Sequence, residues 1–165
     1  MQLSNLKIRN SGLLPWSGGN CQQVLSPIDF GELWRTVNGG LVYISNTFAD
    51  KYRSVITATD KLPPAFANLQ RGEEVEIHCI TELWQKFDGG TCQLKRPYVE
   101  GSLQATDTNG YPLIFSISTT GAFTSETPTG FIGYRPILRM LISELTQETN
   151  EWEFSTKWRL VSEEV

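Results

Sequence analysis

GYRPILRMLISELTQETNEWEFSTKWRLVSEEV, residues 133–165, is the stretch that decides the fold. From Trp152 onward one parity carries Trp152, Phe154, Thr156, Trp158 and Leu160. The other carries Glu153, Ser155, Lys157, Arg159, Val161 and Glu163. Successive side chains of a strand point to opposite faces, so the spacing predicts a strand with one apolar and one charged face. Chain ends fray unless packed, so aromatics on one face here predict that the segment is tied into a sheet.

Just upstream, residues 137–148 read two ways. Ile137, Leu138, Leu141, Ile142 and Leu145 satisfy helical spacing, and Leu, Met and Glu are good helix formers. As a strand, the same run is nearly continuously apolar and suits a position buried on both faces. The connection favours the strand: Glu148, Thr149, Asn150 and Glu151 make a short polar turn that would pair it antiparallel with the strand from Trp152 onward.

Further turn signals are spaced as in all-β chains. Leu3, Leu6 and Ile8 mark a short strand before the glycine-rich stretch SGLLPWSGGN. Residues 33–37 and 41–45 are β-prone, and Asn38, Gly39 and Gly40 between them supply a bulged three-residue hairpin loop. Residues 51–60 (KYRSVITATD) are rich in Val, Ile, Thr and Tyr and predict another strand. In KLPPAFANLQRG, Pro64 and Gly72 suit the start and end of one short helix. Residues 74–83 alternate as a half-exposed strand, with Val75, Ile77, Cys79, Thr81 and Leu83 on one face and Glu74, Glu76, His78, Ile80 and Glu82 on the other. Strands are also expected near 98–106 and 111–118, the latter after an Asn109, Gly110 turn. Residues 119–133 (TTGAFTSETPTGFIG) read as a flexible loop of the kind used in contacts. No repeat or composition shift marks a boundary. The expectation is one β domain over residues 1–165: an all-β antiparallel barrel or sandwich with one short helix and long loops.

The 165 residues suffice for a core without metal or disulfide support. Charged residues make up 19%, below the roughly 25% usual for soluble domains. Two readings fit equally: surface destined for interfaces, or a β protein that favours neutral polar residues. A net charge of −4 and no basic run argue against a dedicated nucleic-acid binder. No apolar stretch is long enough to span a bilayer as a helix, and the first residues lack the pattern of a secretory signal. The three cysteines, an odd number, then fit reduced thiols in a cytosol.

Chemistry-bearing constellations are sparse. His78 and Cys79 are adjacent on a strand and so face apart, and no metal-ligand spacing occurs, so neither catalytic residues, cofactor nor metal is expected. Glu73, Glu74, Glu76 and Glu82 could supply paired carboxylates for a small wall-degrading hydrolase, but alternating glutamates on a strand more often form a solvated face. Trp16, Trp84 and Tyr98 could build a sugar-stacking platform, which makes a carbohydrate- or receptor-binding module the alternative. Aromatic–arginine neighbours recur: Trp34 with Arg35, Tyr52 with Arg53, Tyr134 with Arg135, and Trp158 with Arg159. On strands each pair places an anchor inward and an arginine outward. Arg, Trp and Tyr dominate protein–protein hot spots, so Trp34, Arg35, Tyr52, Arg53, Tyr134, Arg135 and Arg159 are candidate subunit-interface residues.

Six segments occur in a familiar order: RTVNGGLVYIS (35–45), KYRS (51–54), LQRGEEVEIHC (69–79), RPYVEGS (96–102), GYRP (133–136) and NEWEFSTKWRLVSEEV (150–165). Loosely and over most of its length, the chain resembles small minor tail and baseplate proteins of long, non-contractile-tailed bacteriophages. It departs from that pattern at Gly40, where an acidic residue is expected, and at Glu153 and Phe154, where small residues are. The resemblance implies a non-enzymatic structural protein of the distal virion tail, made in the host bacterial cytoplasm. It would assemble as a ring of its own copies beside the tail tube, the baseplate hub and tape-measure neighbours. No membrane partner is implied, and DNA would be met only in passage, which an acidic lumen would let slide. A ring needs heterologous interfaces, for which strand edges and residues 119–133 are the expected contact elements.

Overall fold

Residues 137–150 and 155–164 form one long hairpin at the middle of a sheet. The structure is a computed structural model that describes residues 5–9, 12–14, 16–29, 31–45 and 50–165; Leu3 therefore lies outside the described residues. Its strands run, in chain order, β1 (Lys7–Ile8), β2 (Gln22–Pro27), β3 (Gly31–Arg35), β4 (Leu41–Ser45), β5 (Tyr52–Asp60), β6 (Glu74–His78) and β7 (Leu83–Asp88). They continue as β8 (Thr91–Gln93), β9 (Gln104–Thr106), β10 (Phe115–Ile117), β11 (Ala122–Ser125), β12 (Thr129–Tyr134), β13 (Ile137–Asn150) and β14 (Ser155–Glu164).

Two six-stranded sheets result, in the orders β1-β6-β13-β14-β5-β2 and β10-β11-β8-β7-β12-β9, and β3 with β4 makes a separate ribbon. The pairings are antiparallel, and the sheets form a half-barrel and a nearly closed barrel. Near-closure is carried by the Leu113 amide, which donates to the Ala105 carbonyl at 2.8 Å and so ties the approach to β10 back to β9. The fold class is all-β, and barrel geometry describes it better than a sandwich.

Each sheet has its own core. In the first, Ile56, Ala58, Val75, Ile77, Leu138, Met140, Ile142, Trp158 and Leu160 are buried together. Trp158 meets Phe66 edge-to-face with centroids 5.1 Å apart, and its indole N–H donates to the Ser17 carbonyl at 2.8 Å. In the second, Phe87, Leu94, Ala105, Phe123, Ile132 and Tyr134 are buried. Here Gly133 matters: a Cβ on it would come within 2.5 Å of the Trp84 ring that lies across it.

Four sequence expectations are corrected. Residues 61–72 hold turns rather than a short helix, because the amides of Ala65 and Leu62 bond across to Gly12 and Trp16 instead of back along the chain. Residues 119–133 are not one loop but contain β11 and most of β12, paired to β8 and β7. The strand expected over 74–83 is broken after His78. The Gln23 side-chain oxygen accepts from the amides of Ile80 (2.8 Å) and Thr81 (3.2 Å), and the chain crosses there from the first sheet to the second. Trp152 and Phe154 do not join the buried face of β14. They lie in the turn between β13 and β14 and are 92% and 81% exposed.

Candidate functional site

The ribbon β3–β4 is the feature that the rest of the molecule does not account for. Among the described residues it pairs with no other strand, and every side chain from Glu32 to Ile44 is exposed. Its loop is a bulged three-residue connection, one residue earlier than the sequence suggested. The Thr36 amide donates to the Gly40 carbonyl and the Gly39 amide to the Thr36 carbonyl, both at 2.8 Å, with Gly39 at φ 78°. The register pairs Leu33 with Tyr43, Trp34 with Val42, Glu32 with Ile44 and Arg35 with Leu41. Paired residues share a face. One face therefore presents Leu33, Leu41, Tyr43 and Arg35, and the other Trp34, Val42, Ile44 and Glu32. A lone two-stranded ribbon is at best marginal in water, and an apolar surface on both faces gains stability only when covered. At its base Gly31 lets the Tyr43 ring lie across the backbone, and the Tyr43 hydroxyl bonds Asp29. That hydroxyl, with the Gly31 amide, holds the Asp29 carboxyl below its ordinary value.

Trp34 and Arg35 sit on this ribbon, both exposed. The inward-anchor, outward-arginine expectation fails for this pair because a ribbon has no inside. The other candidate residues are scattered over the two sheets. Tyr134 is buried in the second core, with Arg135 half-buried beside it. Arg159 lies outward from Trp158 and meets Glu144 at 2.8 Å. Arg53 lies outward on β5, 3.9 Å from Glu163.

Tyr52 belongs to a cluster that the sequence did not single out. The Arg96 guanidinium stacks 4.8 Å from the Tyr52 ring centroid and donates to both Glu164 carboxylate oxygens, at 2.7 and 2.9 Å. It also donates to the Asp50 carbonyl, while Lys95 meets the Asp50 carboxylate at 2.8 Å. The Arg96 and Glu164 side chains are only 11% and 14% exposed. Burial opposes the guanidinium charge, but Glu164 and Asp50 outweigh it and hold Arg96 above its ordinary value. The Lys95 hydrogen bond holds Asp50 below its own. Asp50, Lys95, Arg96 and Glu164 line an open depression of about 370 Å³. Its charges are satisfied by one another, which makes it a clasp between the sheets rather than a ligand site. No local signal marks it, since Arg96 and Glu164 stand 68 residues apart.

The carboxylates considered for hydrolysis are each engaged elsewhere. Glu74 pairs with Arg139 and Glu76 with Arg9 and His78, Glu73 accepts the Gln70 amide, and Glu82 accepts from Gln104. The three aromatics considered for sugar stacking sit on separate parts of the fold. Trp16 lies beside Lys61, Trp84 lies on β7 over Gly133, and Tyr98 packs on the second core. Among the described residues no group of three or more His, Cys, Asp or Glu is placed to hold a metal ion. Among the same residues no helix is long and apolar enough to cross a membrane. No protein-family model, no curated protein and no solved structure matches this chain.

Proposed function

We propose that this chain is a structural component of a bacteriophage tail, in the distal tail or baseplate region, that assembles into or onto a multimeric ring and performs no catalysis. The sequence resemblance supplies the tail. The observation that carries assembly is the β3–β4 ribbon, with apolar side chains on both faces and no strand of its own chain beside it among the described residues. Partners are copies of the chain and adjoining tail proteins: the tail tube, the baseplate hub and neighbours of the tape measure. A net charge of −4 fits a passage through which DNA moves without sticking.

The test is particle size, by light scattering and negative-stain imaging, on the purified chain alone and mixed with the tail proteins encoded beside it. A discrete multimer or a stoichiometric complex is expected. Replacing residues 32–44 by a short Gly/Ser linker should abolish it while leaving the thermal midpoint within about 2 °C, since the ribbon lends nothing to either core. A chain that stays monomeric at high concentration and in every mixture sinks the reading.

A further inference from the structure

Two sets of exposed apolar residues lie at opposite ends of the first sheet. Pro27 of β2 pairs with Tyr52 of β5, and the Ile28 amide donates to the Lys51 carbonyl at 2.8 Å, so the chain enters the β3–β4 ribbon from the Tyr52 end. At the other end of β5, Asp60 pairs with Thr156, directly beneath the β13–β14 turn that carries Trp152 and Phe154. Trp16 and Leu62 are exposed at this same end: the Leu62 amide donates to the Trp16 carbonyl at 2.8 Å, and the Lys61 ammonium lies 5.4 Å from the Trp16 ring. The nine residues of β5 separate the ends by roughly 26 Å at ~3.3 Å per residue. The sheet thus has a donor arm at one end and an aromatic shelf at the other.

Charge distinguishes the surfaces as well. Around the shelf, Glu148, Glu151 and Glu153 take part in no ion pair among the described residues. The Leu33/Leu41/Tyr43 face of the arm carries Arg35, whose guanidinium donates to the Gly39 carbonyl at 3.3 Å rather than to a carboxylate. The opposite face carries Glu32, and the Trp16 side of the shelf carries Lys61. An arm lying with its Arg35 face on the shelf brings Arg35 to the acidic turn and leaves Glu32, on the opposite face, turned away.

We infer that the occupant of the shelf is the β3–β4 arm of a second copy of this chain. The inference rests on the assembly proposed for this chain and adds to it the receiving surface and the sense of the contact. Two different patches of one subunit meet head to tail, the kind of interface that closes into a ring or, where the rotation does not close, extends as a filament. Trp152, Phe154 and Trp16 are the anchors, and the carboxylates fix which arm face meets which part of the shelf.

Complementation tests it. A chain with residues 32–44 replaced by the linker lacks the arm, and a Trp152→Ser/Phe154→Ser chain lacks the shelf. Each alone should sediment as a monomer, and their mixture should form a capped one-to-one heterodimer. Arg35→Glu and the pair Glu151→Lys/Glu153→Lys should each weaken self-association by about tenfold, and their combination should restore it. Multimers that persist in the shelf variant but vanish in the armless one overturn this inference and leave the assembly proposal standing. The armless and shelf variants failing to combine also overturns it. A wild-type chain that is monomeric alone but enters complexes with neighbouring tail proteins refutes self-docking without refuting the tail role. Circular dichroism of every variant separates lost docking from lost folding.

Discussion

Cys79 illustrates how far single residues could be read. As a small side chain on the apolar parity of residues 74–83 it is expected to be a buried hydrophobe, and it is fully buried just past the end of β6. Burial pushes its thiol from 9.0 up to about 11, against a Gln23 hydrogen bond and with the Glu164 charge adding to the rise. The folded value lies above the unfolded one. The resulting stability is therefore complete below pH 9, and it is lost as the unfolded thiol ionises and pH climbs toward 11. At ~1.4 kcal/mol per pH unit, the chain should lose about 2–3 kcal/mol over that window relative to Cys79→Ala. Denaturant midpoints at pH 8, 9, 10 and 11, as assay settings of roughly one-unit spacing, compare the two slopes; parallel lines would refute the assignment. The aromatic–arginine neighbours were less readable. Trp158 and Tyr134 do point inward, but Trp34 does not, because alternation reveals which residues share a face and not whether anything covers it.

At the scale of elements, β13 shows why residues 137–148 imitated a helix. Leu138, Met140 and Ile142 alternate inward, and then the register with β14 slips: Ile142 pairs with Ser162 but Glu144 with Val161. Ser143 is the extra residue of a β-bulge, and it turns the parity so that Leu145 faces the core. Inward-facing positions at 138, 142 and 145 then carry a helical spacing on an extended chain. Only the partner strand reveals it; the polar turn that favoured a strand is expected over 148–151 but lies at residues 151–154, with 148–150 still paired in β13. The same dependence on partners hid β11 and β12, whose small and polar residues look like loop until β8 and β7 lie beside them. Inserting one alanine between Glu144 and Leu145 should turn the outer half of β13 by one parity and expel Leu145, costing about 3 kcal/mol. Ser143→Ala loses only the 3.1 Å bond from its hydroxyl to the Val161 carbonyl, about 1 kcal/mol. Thermal unfolding of both variants measures the difference. Equal losses would mean that the inward parity set by the bulge contributes no packing at Leu145.

The whole molecule is two cores with no member in common, joined by few links. The chain crosses between the sheets at residues 79–82 and again at Arg135 and Pro136, where the amides of Cys79 and Val99 donate to the Pro136 and Arg135 carbonyls at 3.0 and 2.9 Å. The third link is the Arg96 clasp, which bonds Glu164 of β14, stacks on Tyr52 of β5 and is carried on the segment after β8. A fully buried ion pair that loses one partner costs about 3–5 kcal/mol, and one edge of this clasp opens to solvent, so about 2 kcal/mol is expected for Arg96→Met. That loss falls on coupling rather than on either core, since Met leaves Ile56 and Leu160 in the first and Phe123 and Ile132 in the second untouched. Amide hydrogen exchange separates the two effects. In the wild type the slowest amides of both sheets should report one shared opening free energy, and in Arg96→Met the two sets should diverge as each sheet opens independently. Uniform weakening of both sets would show that the crossings alone bind the sheets into one cooperative unit, and that the guanidinium adds stability without adding communication between the arm-bearing sheet and its neighbour.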